Sequence, residues 1–386
     1  MWRLRPDCPQ GHRTGRRRRA SECRRRLEDG RGRIDRVGAN DKRCTRISRL
    51  QCDRGSGMSR TGLRRPTVAQ LIGVAVLWFA QATAHADDVI VLNSADASIS
   101  VIDQGTQKVI DTYPVGKEPH HLMATPDNRS LIVANSVANN LVLLDPQSGK
   151  VQRWIPNIED PYQLGFSSDR KWFVTNGLRL DRVDIYRYDG KDFSLAKRVP
   201  LAKMPSHMIF TADSKIVFVT LQESGEVAAI DLATQTVLWK MPVGKAPAGL
   251  WLTPGDKYLL IGMTGADYVA VVDWRERKIV KTIHTDKGAH NFRSLADGRH
   301  VLVSNRVGST ISILDEDNLT TVGTITGLLP GPDDMELSQD KRYLWVTFRF
   351  TRYVGVVDMK TLKLLNTVKV GKSPHGIYFY NRAPLM

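Results

Sequence analysis

Five of the seven histidines in residues 87–386 occupy one kind of place. His120, His121, His207, His290 and His375 each lie one or two residues after a Gly/Pro-rich corner (VGKEP, AKMP, DKGA, VGKSP). An even scatter would put almost none there. The same two positions recur seven times along the chain. They read His120-His121, Tyr162-Gln163, Ser206-His207, Ala248-Gly249, His290-Asn291, Asp333-Asp334 and His375-Gly376. Imidazoles with an aspartate pair suit zinc, copper or a similar ion. His120, His207, His290 and His375 are therefore candidate ligands for a divalent metal. The alternative is that these side chains satisfy backbone groups where a strand begins. Metal-bound histidines also need partners behind them, and spacing does not show those.

Arg306 and Arg349 stand beside a further repeated position, with Arg179, Arg182, Arg352 and Asn93, Asn135, Asn176 and Asn305. Arginines at a common mouth could clamp a carboxylate or phosphate; otherwise they are solvated loop residues. Other chemistries are poorly supplied. All four cysteines (Cys8, Cys23, Cys44, Cys52) precede residue 58. The rest of the chain thus has no disulfide, thiolate site or cysteine nucleophile. No Gly-rich phosphate loop or Ser-His-Asp order stands out.

The elements that must position these residues are repeats. Seven apolar segments, VIVLNS, LIVANS, WFVTNG, IVFVTL, YLLIGM, VLVSNR and LWVTFR, each lead through a polar loop to a second strand ending in Asp. Those aspartates are Asp103, Asp145, Asp189, Asp231, Asp273, Asp315 and Asp358, spaced 42–44 residues apart. A third strand, the corner and a fourth strand follow. Four short β-branched strands per repeat exclude helix pairs and give the arithmetic of a propeller blade. The repeat-ending aspartates are expected to bond their own turns. Trp172, Phe218, Trp251 and Trp345 are expected in the core between blades.

The strands WFVTN, VANS and VSNR, the SVID strand and the VGK-P-H-G-I corner resemble the YVTN-type, YncE-like β-propeller repeat family. The resemblance covers 87–386 and departs locally at Leu221, Phe348 and Gly262-Met263. It implies an exported, all-β, seven-bladed propeller with four antiparallel strands per blade, and it implies no single chemistry. The chain starts at the second strand of a blade and ends on a lone first strand. The final strand, expected at Gly376–Tyr380, should therefore pair beside Val89–Asn93 and close the ring. Closure removes free sheet edges. The histidine positions then begin the innermost strands and converge at one mouth of the channel.

Charge divides the chain differently. Residues 1–86 hold 21 Lys/Arg against 7 Asp/Glu, which leaves 35 against 33 in 87–386. The folded part carries no basic excess for nucleic acid. Residues 1–57 are Arg-rich and read as sequence upstream of the true start or as a disordered arm. Met58 opens a signal peptide, with Arg60, Arg64 and Arg65, an apolar run Val68–Ala80, and Ala84-His85-Ala86 before the cleavage point. That run is shorter than the ~20 residues of a membrane helix, and nothing later is apolar enough to span. The expected protein is a periplasmic or secreted monomer. It recognises a small ligand, a metal or an exported partner protein at the channel mouth. The alternatives are a metal-assisted, lactonase-like hydrolase, a redox protein (by analogy with nitrite-reductase haem propellers, one holding a haem), or a purely structural module.

Overall fold

The computed structural model describes residues 88–385. They form seven four-stranded antiparallel sheets arranged as the blades of a propeller. In blade 1 the strands are Asp88–Asn93, Ser98–Asp103 and Lys108–Pro114, completed from the far end of the chain by Pro374–Tyr378. The innermost strands of blades 2 to 7 are Pro119–Ala124, Pro161–Phe166, Pro205–Phe210, Pro247–Leu252, Ala289–Ser294 and Pro332–Leu337. No helix among the described residues is long and apolar enough to cross a membrane.

The apolar runs are continuous rather than alternating because both faces of each blade pack on a neighbour. Every residue of Leu131–Asn135 is buried, whereas Lys108–Pro114, an outermost strand, is mostly exposed. The core accordingly lies between blades. Ile90, Leu92, Ile99 and Val101 of blade 1 pack on Leu131, Val133, Val142 and Leu144 of blade 2. Trp172, Phe218, Trp251 and Trp345 are all buried in such interblade clusters. The seven repeat-ending aspartates behave as turn residues. Each accepts backbone N–H bonds from residues two or three further on, as Thr106 N–H to Asp103 at 2.6 Å and Thr361 N–H to Asp358 at 2.7 Å.

The final strand closes the ring, pairing Pro374 with Asn93, Ile377 with Val91 and Tyr378 with Ile90. It spans Pro374–Tyr378 rather than Gly376–Tyr380. The proline corner starts this strand as it starts five of the other six, and past Tyr378 the chain leaves the sheet. There Ala383 N–H bonds Leu337 O at 2.8 Å. The buried Arg293 holds the carbonyls of Ala383 at 2.6 Å and Pro384 at 3.2 Å, and pairs with Glu336 at 2.6 Å. The last residues thus fasten the ring across blades 6 and 7.

Ladder pairing slips at the start of every innermost strand, for example between Pro119 and Leu122 and between Pro332 and Met335. Such bulges redirect side chains, and here they carry the two repeated positions. Blade 5 shows the spatial limit. A Cβ on Gly249 would lie 2.1 Å from His290 O. Gly249→Ala is therefore expected to cost roughly 1–3 kcal/mol, as overpacking does. Thermal denaturation measures this, and an unchanged midpoint would show that the neighbouring strand yields freely.

Candidate functional site at the channel mouth

In three of the seven bulges the N–H of the second residue bonds a hydroxyl on the adjoining strand. Thr220 Oγ1 accepts from His207 N–H at 3.1 Å, Ser304 Oγ from Asn291 N–H at 3.1 Å, and Thr347 Oγ1 from Asp334 N–H at 3.0 Å. With the backbone satisfied, the side chains are free to face the channel. His120, His121, His207, His290, His375 and Asp333 are all buried there. Ring centroids of His120 lie 4.0 Å from His375, 3.9 Å from Tyr162 and 4.8 Å from His121. His121 to His375 is 4.7 Å, His121 to His207 5.4 Å, and His207 to His290 5.0 Å.

The histidines of the cluster differ in how far their ring nitrogens are engaged. His290 is fully engaged. Its Nδ1 meets Thr264 Oγ1 at 2.9 Å, and its Nε2 lies 2.5 Å from Arg306 Nη2 and 3.3 Å from Asp333 Oδ1. Arginine has only donors, so Nε2 accepts and Nδ1 carries the proton. His207 Nδ1 meets Ser206 Oγ at 3.1 Å. His207 Nε2, His120 Nδ1, His121 Nε2 and both ring nitrogens of His375 are buried with no hydrogen-bond partner among the described residues. One ring nitrogen from each of His120, His121 and His375 lies within 4.8 Å of the others. The trio thus contains His121 where the spacing argument placed His207 and His290. Thr264, which orients His290, carries no mark in the repeat pattern, while Ser206, which orients His207, holds one of the two repeated positions.

Asp333 sits behind the trio. Arg306 Nε donates to its Oδ1 at 3.1 Å and Arg306 Nη2 donates to the same oxygen, while His375 Nε2 lies 3.4 Å from Oδ2. Asp334 accepts from Asn291 and lies 3.7 Å from His375 Nδ1. Arg349 is held loosely, 3.8 Å from Asp333 Oδ2 and 3.5 Å from His120 Nε2. The other arginines of this face are elsewhere. Arg179 pairs with Asp160 and Glu118, Arg182 with Asp184 and Glu159, and Arg352 with Asp96. The four asparagines serve structure. Asn93 and Asn305 tie their hairpins by bonding Ser98 and Ser100, and Thr310 and Ser312; Asn135 bonds Asn140, and Asn176 bonds Ser206 O.

Burial sets the protonation of this mouth. It holds His120, His121, His290 and His375 well below the ordinary imidazole range, and neighbouring histidines and arginines push the same way. His207 is lowered to about 3, by burial and then by Arg306. Burial alone would raise Asp333, but Arg306, His290 and Arg349 outweigh it and keep the carboxylate ionised. Asp334 is raised, by burial and by Asp333. A neutral buried histidine has a measurable consequence. The unfolded chain binds a proton below about pH 6.5 and the folded chain does not, so stability falls as pH falls. His207→Gln removes one such group. Between pH 6 and 4 the wild type should lose about 1.4 kcal/mol per pH unit more than the variant does. Urea titrations at stepped pH test this; parallel pH profiles would contradict it.

A family model described as a YNCE-like beta-propeller matches residues 66–385. The chain belongs to this family. Among curated proteins, Antigen Lp49 of Leptospira interrogans serogroup Icterohaemorrhagiae serovar copenhageni is 25% identical over 192 residues, covering 44% of this chain. The alignment spans 41% of that relative's length. Solved structures with similar folds include a functionally unknown protein from Desulfotomaculum acetoxidans DSM 771, at TM-score 0.66 and 14% identity, over 76% of this chain and 98% of that one. The dihydro-heme d1 dehydrogenase NirN in complex with DHE matches at TM-score 0.56 and 18% identity, over 77% and 75%. Kuenenia stuttgartiensis hydrazine synthase matches at 0.56 and 16%, over 68% and 92%. At these identities the YNCE-like chain shares their fold, and the likeness extends no further.

Proposed function

We propose that this YNCE-like propeller is an exported binding protein whose channel mouth holds a late transition-metal ion on His120, His121 and His375. One observation carries the reading: three buried imidazoles converge, and four of their ring nitrogens have no partner. A buried polar atom without a partner costs about 1–3 kcal/mol, whereas the neighbouring His290 finds a hydroxyl and a charged partner. Imidazole ligands favour zinc, copper or nickel over magnesium or calcium. Ligands on a common tetrahedral ion at ~2.1 Å stand ~3.4 Å apart, so the rings need close by little more than an ångström. Burial keeps them neutral, the form that ligates. Tyr162 walls one side of His120, and Asp333 behind His375 supplies the carboxylate partner that metal-bound histidines commonly have.

Elemental analysis and zinc calorimetry on the purified chain test the proposal. One equivalent should bind, and His121→Ala with His375→Ala should lower affinity at least a hundredfold while the melting profile stays cooperative. Stoichiometric binding that survives both changes would refute the assignment. Export rests on the signal-like stretch from Met58. N-terminal sequencing of the secreted protein should begin at Asp87.

A further inference from the structure

We propose that the metal at this mouth carries a small anion, bound through one oxygen to the ion and through another to Arg349. This rests on the metal reading above and extends it to a class of ligand: carboxylates or small inorganic oxyanions. Three observations lead to it.

The first is Arg349 itself. Its backbone is pinned, with N–H bonded to Gly331 O at 2.7 Å. Its guanidinium is mostly buried and Nη1 has no partner among the described residues. Arg306, the other arginine of the mouth, spends Nε and Nη2 on Asp333 Oδ1 and His290. Arg349 has only the 3.8 Å approach to Asp333 and the 3.5 Å approach to His120 Nε2. A buried guanidinium so weakly paired is costly unless a further acceptor completes it.

The second is charge. The mouth holds Arg306 and Arg349 against Asp333 and Asp334. Even with both carboxylates ionised these only cancel, so a divalent ion on three neutral imidazoles leaves two positive charges buried. An anion at the ion and the guanidinium together relieves that excess.

The third is geometry. Three protein ligands on a tetrahedral ion leave one position for an exogenous group. Arg349 Nη2 lies 3.5 Å from His120 Nε2 while its Nη1 is unused, so a spare donor stands beside one ring of the trio. A planar fork opposite a metal suits a group with two oxygens. Uncharged ligands would leave both Arg349 and the excess charge unanswered.

Cobalt(II) substituted for zinc gives an optical band that reports the fourth ligand. The full chain, loaded with cobalt, is titrated with acetate and separately with inorganic phosphate. A saturable spectral shift is expected with at least one of them, which also separates a carboxylate from an inorganic oxyanion. In Arg349→Met the dissociation constant for that anion should rise at least tenfold. Cobalt should bind as tightly or more so, since a neighbouring cation is gone, and Arg349→Lys should fall between. Equal anion affinity in wild type and Arg349→Met, or cobalt binding with no shift from either anion, would overturn the anion site and leave the metal site standing. Failure of the wild type to bind cobalt or zinc would remove both.

Discussion

A chain ending before Pro374 is expected to lose cooperative folding altogether. The missing segment carries Ile377, Tyr378 and Phe379, all almost fully buried. Each large apolar side chain contributes about 1.5–3 kcal/mol on burial, and net domain stability is only about 5–15 kcal/mol. Three such losses approach the whole margin. Val91 and Leu92, now wholly covered, would also be uncovered, and Asp88–Asn93 would become an open sheet edge. The grip of Arg293 on the terminal carbonyls would go as well, leaving a buried cation short of partners. Circular dichroism melts of the truncated chain, beside one lacking residues 1–57, measure the effect. The second should melt like the full chain. A truncated chain that melts cooperatively within a few degrees of it would show that six complete blades hold the ring without the clasp.

Zinc affinity at the mouth is expected to stay nearly flat between pH 7.5 and 5.5. Three solvated imidazoles titrating near 6.5 would each lose about tenfold in free ligand over that range, and affinity would fall ~1,000-fold. His120, His121 and His375 instead have proton affinities driven well below the ordinary value by burial and by one another. Protons therefore do not compete until more acid pH, and the loss should stay under tenfold. Competition against a chromophoric chelator calibrated at each pH gives the curve. A thousandfold fall would mean that water reaches the rings and that the mouth is far more open than its burial indicates.

The propeller was legible in the chain because each blade is written in local terms: apolar strands of fixed length, an aspartate that closes its own turn, and a proline corner. Those rules act within a few residues, so repetition alone sets blade number and strand count. Ring closure was also legible, since a first strand without its blade must pair with a blade without its first strand. Its exact bounds were not, because the corner proline, and not the last apolar residues, begins the strand. Repetition likewise brought the histidines to one mouth. It did not say which would converge. His290 and His121 hold adjoining repeated positions, yet Thr264 and Arg306 engage the first, while the second is left with an unpartnered nitrogen beside His120 and His375. The same limit applies to Arg306 and Arg349, alike in sequence position, of which only one is fully paired. Sequence by itself determined the ring and the placing of polar groups around its axis, because periodic local structure needs no knowledge of neighbours. Tertiary structure alone decided which nitrogens stay free and neutral, because that depends on bulges turning side chains across the channel and on contacts between blades some 40 residues or more apart in the chain.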